Sequence, residues 1–108
     1  MKTLKFADNL VPLILSGEKI STWRLFDDKD LWIGDELEFI NKISRKNFAK
    51  AKIVSLYEKK LGDIKEKDFE GHEKYESNEE MIKTLKKFYG DKVDSDTLVK
   101  IIKFEIIK

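Results

Sequence analysis

The chain has 108 residues, enough for one domain around a single core and too few for two, so a single domain over residues 1–108 is expected. It carries 22 Lys and Arg against 21 Asp and Glu, a net charge of +1, so overall charge does not mark it as a nucleic-acid binder. There is no Cys and one His, which excludes disulfides and thiolate metal sites and leaves no histidine cluster for a metal. No apolar run approaches the roughly 20 residues that span a bilayer, and the first six residues lack the apolar stretch of a secretory leader. A cytoplasmic protein with no membrane partner is therefore expected.

In chain order, Leu4 and Phe6 alternate with Lys5 and predict a strand over residues 2–6. Asn9 is placed to cap a short helix over 10–16, with Pro12 tolerated in its first turn and Gly17 as its stop. Residues 20–25 are β-branched and aromatic and predict a strand. Gly34 and Asp35 form a turn before an alternating strand over 36–40 with Leu37 and Phe39 on one face. Residues 41–47 make a basic loop. A long strand follows over 48–58, with Ala49, Ala51, Ile53 and Tyr57 assigned to one side.

Asp63 is placed to cap a short helix over 64–69. Ser77 and Glu80 form a capping box that opens a helix through Tyr89, with Met81, Leu85, Phe88 and Tyr89 as its apolar stripe and Gly90 as its end. The final strand runs over 99–107, where Ile102, Phe104 and Ile106 alternate. The expected fold is mixed α/β and mainly β: a small curved barrel of five to six strands with two or three helices at its mouth.

Charge is unevenly distributed. From Lys42 to Lys52 there are five cations (Lys42, Arg45, Lys46, Lys50, Lys52) and no acid, while residues 63–80 hold eight acids and three lysines. Such runs are often only solvated faces. The basic one is also suited to meet phosphates.

The stretch Gly17-Glu18-Lys19-Ile20-Ser21-Thr22-Trp23-Arg24 concentrates chemistry where a helix stops and a strand begins. Residues two apart in a strand share a face, so Thr22 and Arg24 point the same way, and the long arm of Lys19 reaches over from the strand entrance. An apolar wall and a neighbouring cation would favour the neutral amine of Lys19, a base for an alcohol nucleophile. By itself, Lys-x-x-Thr-x-Arg is a weak signal that arises by chance in charged proteins, and it suits a sheet-edge Thr with two solvated cations.

This segment resembles the G-x-K-x-x-E/T-x-R motif of ASCH domains, members of the PUA-like superfamily of RNA-binding and RNA-modification folds. The likeness extends along nearly the whole chain: an apolar helix with Ile14 and Leu15 before Ser16-Gly17, the Gly34-Asp35 turn, Glu70-Gly71-His72, a capped helix ending Phe88-Tyr89-Gly90, and a closing strand over 100–107. The resemblance implies a PUA-like β-barrel with a cleft between barrel and helices. Small bacterial ASCH proteins that hydrolyse N4-acetylcytidine use a Lys, a Thr and a Glu, which the resemblance carries to Lys19, Thr22 and Glu70. Many ASCH domains have Glu where this chain has Thr22. The stretch between Glu70 and the helix is longer here than in the shortest amidohydrolases, so Glu73 stands as the alternative acid.

The reaction so implied needs neither metal nor cofactor. Its ligand would be RNA or a modified nucleoside, with Arg24 stabilising an oxyanion and Trp32, Lys42, Arg45 and Lys46 contacting substrate. The alternative is an RNA-binding module without catalysis, in which the basic loop, Arg24 and the tryptophans supply charge and stacking. Trp23 is expected to pack on the barrel's other face, Tyr89 in the core, and His72 towards solvent.

Overall fold

The computed structural model describes residues 1–27, 29–69 and 74–107. Five strands form one curled sheet, in the spatial order β1-β3-β4-β5-β2: β1 (Lys2–Phe6), β2 (Ser21–Leu25), β3 (Glu36–Asn41), β4 (Asn47–Lys60) and β5 (Leu98–Ile107). β1 lies parallel to β3, and every other pair is antiparallel. β1 and β2 are the two edges, so the sheet is a half-barrel whose backbone ladder stays open between them.

Two apolar layers hold the sheet. The inner one gathers Leu4, Phe6, Leu37, Phe39, Ala51, Ile53, Ile102 and Phe104, with Ile14 of helix α1 (Val11–Ser16) set into it. Phe39 packs edge-on to Phe104 with ring centroids 4.8 Å apart. The outer layer joins Trp23, Leu25, Val99 and Ile101 to Met81 and Leu85 of helix α2 (Asn78–Tyr89). β5 thus buries both faces, which is why its sequence is apolar at adjacent positions 101 and 102.

The long strand β4 departs from simple alternation. Ile53 pairs with Phe104 and Ser55 with Lys103, leaving Val54 as an extra residue. This bulge exchanges the faces beyond it. Ala51 and Ile53 belong to the inner layer, whereas Tyr57, expected beside them, packs with the outer one.

Helix α2 opens as the capping box requires, with the Glu80 N–H donating to Ser77 Oγ at 3.1 Å, and stops at Gly90 at φ +96°. The acidic stretch before it holds 3-10 turns at Leu61–Asp63 and Glu66–Phe69 rather than an α-helix. Asp68 anchors this stretch, accepting from Tyr57 Oη, Lys59 Nζ and the Lys65 N–H at 2.8–2.9 Å. Among the described residues, no helix is long and apolar enough to cross a membrane.

Candidate functional site

Helix α1 ends at Gly17, whose φ of +86° is a left-handed conformation that glycine adopts without a Cβ penalty. The chain turns there, and the Lys19 N–H donates to the Leu13 carbonyl at 3.0 Å. This junction sets Lys19 against the sheet, where it is only 5% exposed although it is a lysine. Strand β2 then alternates. Thr22 sits opposite Ile102 of the inner layer, and Trp23 sits opposite Ile101 of the outer layer. Trp23 packs there against Phe69, with ring centroids 5.1 Å apart.

Arg24 follows Thr22 on the inner side and bridges the open seam. Its Nη2 donates to the Lys5 carbonyl of β1 at 3.3 Å, and its guanidinium lies 5.0 Å over the Phe6 ring. Burial pulls the guanidinium below its ordinary pKa, an effect that the Tyr89 hydroxyl and the Asp27 carboxylate partly offset. Its Nε is buried and has no hydrogen-bond partner among the described residues.

These side chains meet in a cavity of about 480 Å³ at the seam between β1, β2 and the end of α2. Lys19, Thr22 and Arg24 line it together with Lys42, Phe88 and Tyr89. The volume falls in the range of small-molecule sites. The lining carries four cations (Lys5, Lys19, Arg24 and Lys42) and, among the described residues, no acid.

Of the residues expected to form the site, Lys19, Thr22, Arg24 and Lys42 come together here. Lys42 is held at the rim because its N–H donates to the Phe6 carbonyl at 2.9 Å. Trp32 does not line the cavity. It is 61% exposed, in a turn pinned by Asp35, whose Oδ2 accepts from the Trp32 N–H and from Lys2 Nζ at the other end of β1. Arg45 and Lys46 also lie outside the lining, exposed on the β3–β4 turn, where Arg45 has φ +62°. Glu70, its alternative Glu73, and His72 lie outside the described residues.

Sequence reasoning missed Phe88 and Tyr89 as cavity residues. Both lie on the helix's apolar stripe, but of its residues Met81 and Leu85 alone are buried. Phe88 is 71% exposed, and Tyr89 is partly so. Periodicity marks an apolar face and does not say how far the surface beneath it extends.

No family model matches the sequence, and no curated protein matches it. Solved structures do share its fold. An ASCH domain from Lactobacillus crispatus JV V101 superposes with a TM-score of 0.70 at 18% identity, over 97% of this chain and 79% of that one. Protein EF3133 from Enterococcus faecalis V583, of family DUF984, gives 0.75 at 17% identity, over 92% of this chain and 70% of that one. The hypothetical protein PH0355 gives 0.74 at 24% identity, over 99% of this chain and 100% of that one. The chain has the ASCH-domain fold.

Proposed function

We propose that the chain holds a nucleoside in the Lys19–Thr22 cavity and hydrolyses the amide of an N4-acylated cytidine. One observation carries this reading: a lysine and a threonine, each only 5% exposed, line the same nucleoside-sized cavity with Arg24 beside them. Lysine is among the side chains least often buried, and a buried one lining a cavity is a candidate functional group.

In this mechanism Lys19, as an unprotonated amine, takes the proton of Thr22 Oγ1 while that oxygen attacks the amide carbonyl carbon. Negative charge develops on the carbonyl oxygen and is met by Arg24, a type of contact often worth roughly 3–4 kcal/mol per donor. Collapse re-forms the carbonyl and breaks its bond to N4. The Lys19 ammonium passes its proton to N4, cytidine leaves, and an acetyl ester stays on Thr22. Water then attacks the ester, losing a proton to Lys19. The ester bond breaks, the proton returns to Thr22 Oγ1, and acetic acid leaves and ionises. Glu70, or Glu73, is the candidate acid that orients Lys19.

Incubating the protein with N4-acetylcytidine tests the reading. Acetate release by the wild type and not by Thr22→Ala is expected. No release by the wild type, or equal release by both, contradicts it.

A second reading, RNA binding without catalysis, draws on the exposed basic β3–β4 turn, because Lys42 at the start of that turn lines the cavity. Binding of this kind weakens steeply with salt. Titration with short single-stranded RNA at low and high salt tests it, and no saturable binding at low salt rejects it.

A further inference from the structure

A second cavity, of about 470 Å³, adjoins the first. The two share Lys5, Arg24, Lys42, Phe88 and Tyr89 as a common wall. Beyond that wall, the second cavity adds Phe26, Lys29 and Lys92.

This second chamber is cationic. Lys5, Arg24, Lys29, Lys42 and Lys92 face it, and none of them forms an ion pair with a described residue. Asp27 is the one acid on its described lining, and its charge is already committed. The carboxylate is 5% exposed, ion-paired to Lys100 at 2.8 Å, and accepts the N–H groups of Lys29 and Leu31 at 2.9 Å. It therefore does little to repel an incoming anion.

The chamber also has an aromatic floor. Phe26 is held at φ +51°, a conformation L-residues seldom adopt, and is still 45% exposed. Lys92 Nζ lies 4.2 Å over its ring, and the ring meets Tyr89 edge-on at 6.1 Å. A strained, exposed aromatic roofed by a lysine gives little to the core.

We infer that the two cavities form one continuous site that takes a phosphorylated nucleoside, with the base and its acyl group at Lys19 and Thr22 and the phosphate in the Lys29–Lys92 chamber. This rests on the nucleoside reading above and specifies its substrate class: a nucleotide, either alone or within an RNA chain. The shared wall places Arg24 and Lys42 between the two moieties. Lys29 and Lys92 line only the second chamber, so they discriminate phosphate without touching the nucleoside.

Titration calorimetry at low salt, using the full chain, tests this with cytidine, cytidine 5′- and 3′-monophosphate, a cytidine trinucleotide and inorganic phosphate. At least one monophosphate is expected to bind about tenfold more tightly than cytidine. The Lys29→Ala/Lys92→Ala variant is expected to lose that advantage while keeping its affinity for cytidine, and its circular dichroism should match the wild type because both lysines are exposed. A trinucleotide that binds more tightly than either monophosphate identifies an RNA chain as the source; equal binding identifies a free nucleotide.

Cytidine binding with no phosphate advantage overturns this inference alone. An advantage that survives in the double variant, or inorganic phosphate binding as tightly as the nucleotides, also overturns it. No saturable binding of any nucleoside or nucleotide overturns both this inference and the reading it rests on.

Discussion

Arg24 and Lys5 join the two edges of the sheet: the guanidinium of one donates to the backbone carbonyl of the other at 3.3 Å, across strands that share no ladder. The residue that would stabilise an oxyanion is thus also a latch on the half-barrel. Replacing Arg24 by Ala is expected to lower stability by about 2 kcal/mol, the scale of a hydrogen bond to a charged group. Amide exchange in β1 should accelerate more than in β3 or β4. Urea denaturation with exchange by residue checks this, and an unchanged β1 would show that the latch carries no stability.

Gly17 positions Lys19 by turning the chain through a left-handed residue. A Cβ built there meets nothing within 4 Å, so the cost of Gly17→Ala is that of the backbone alone, about 1–2 kcal/mol. The loss should appear in a thermal melt, together with weaker activity if the Lys19 geometry relaxes with the turn. A variant as stable as the wild type would show that the turn is not strained by a side chain.

Thr22 is buried but small, so its hydroxyl can be removed without leaving a void. Thr22→Val should fold normally and lose acetate release by roughly a thousandfold or more, while Thr22→Ser keeps part of it. Comparable rates for the Val variant and the wild type would remove Thr22 as nucleophile.

Two buried carboxylates should contribute to acid sensitivity. Burial opposes the ionisation of Asp27, but hydrogen bonds from Lys100 and two backbone N–H groups outweigh it and hold the carboxyl below its usual range. Burial likewise opposes ionisation at Asp68, and the Lys65 N–H, Lys59 and Tyr57 overcome it. Carboxyls depressed in the fold contribute stability above their unfolded pKa of about 4 and lose it as pH falls below that. The Asp27 hydrogen bond raises Lys100 despite its burial, so its contribution is present at neutral pH and fades only as pH rises through that raised value. Urea midpoints should therefore hold steady near neutrality and drop below about pH 4. In Asp27→Asn/Asp68→Asn the neutral stability should be lower and the acid slope shallower. An unchanged acid slope would place the sensitivity elsewhere.

Much of the fold was legible because local signals agreed with the global arrangement. The strand over Lys2–Phe6, the Gly17 stop, the Ser77–Glu80 cap and the Thr22/Arg24 face all follow from short-range rules. The bulge at Val54 was not legible, because nothing in an alternating sequence marks where one residue is unpaired, and it turned Tyr57 to the opposite layer. The cavity wall was only half legible. Lys19, Thr22, Arg24 and Lys42 stand out by chemistry, whereas Phe88 and Tyr89 share their periodicity with core residues. Trp32 is an aromatic beside a turn, and proximity to a turn carries no information about which end of the sheet it occupies.

The most direct measurement is a residue-by-residue map of where N4-acetylcytidine binds, taken from backbone amide shifts during a titration of the Thr22→Ala protein. Saturable changes should centre on residues 19–24 and extend to Lys5, Lys42 and Tyr89. Changes confined to the turn at Trp32 or to the β3–β4 turn at Arg45, with residues 19–24 unmoved, would contradict a nucleoside site at this seam.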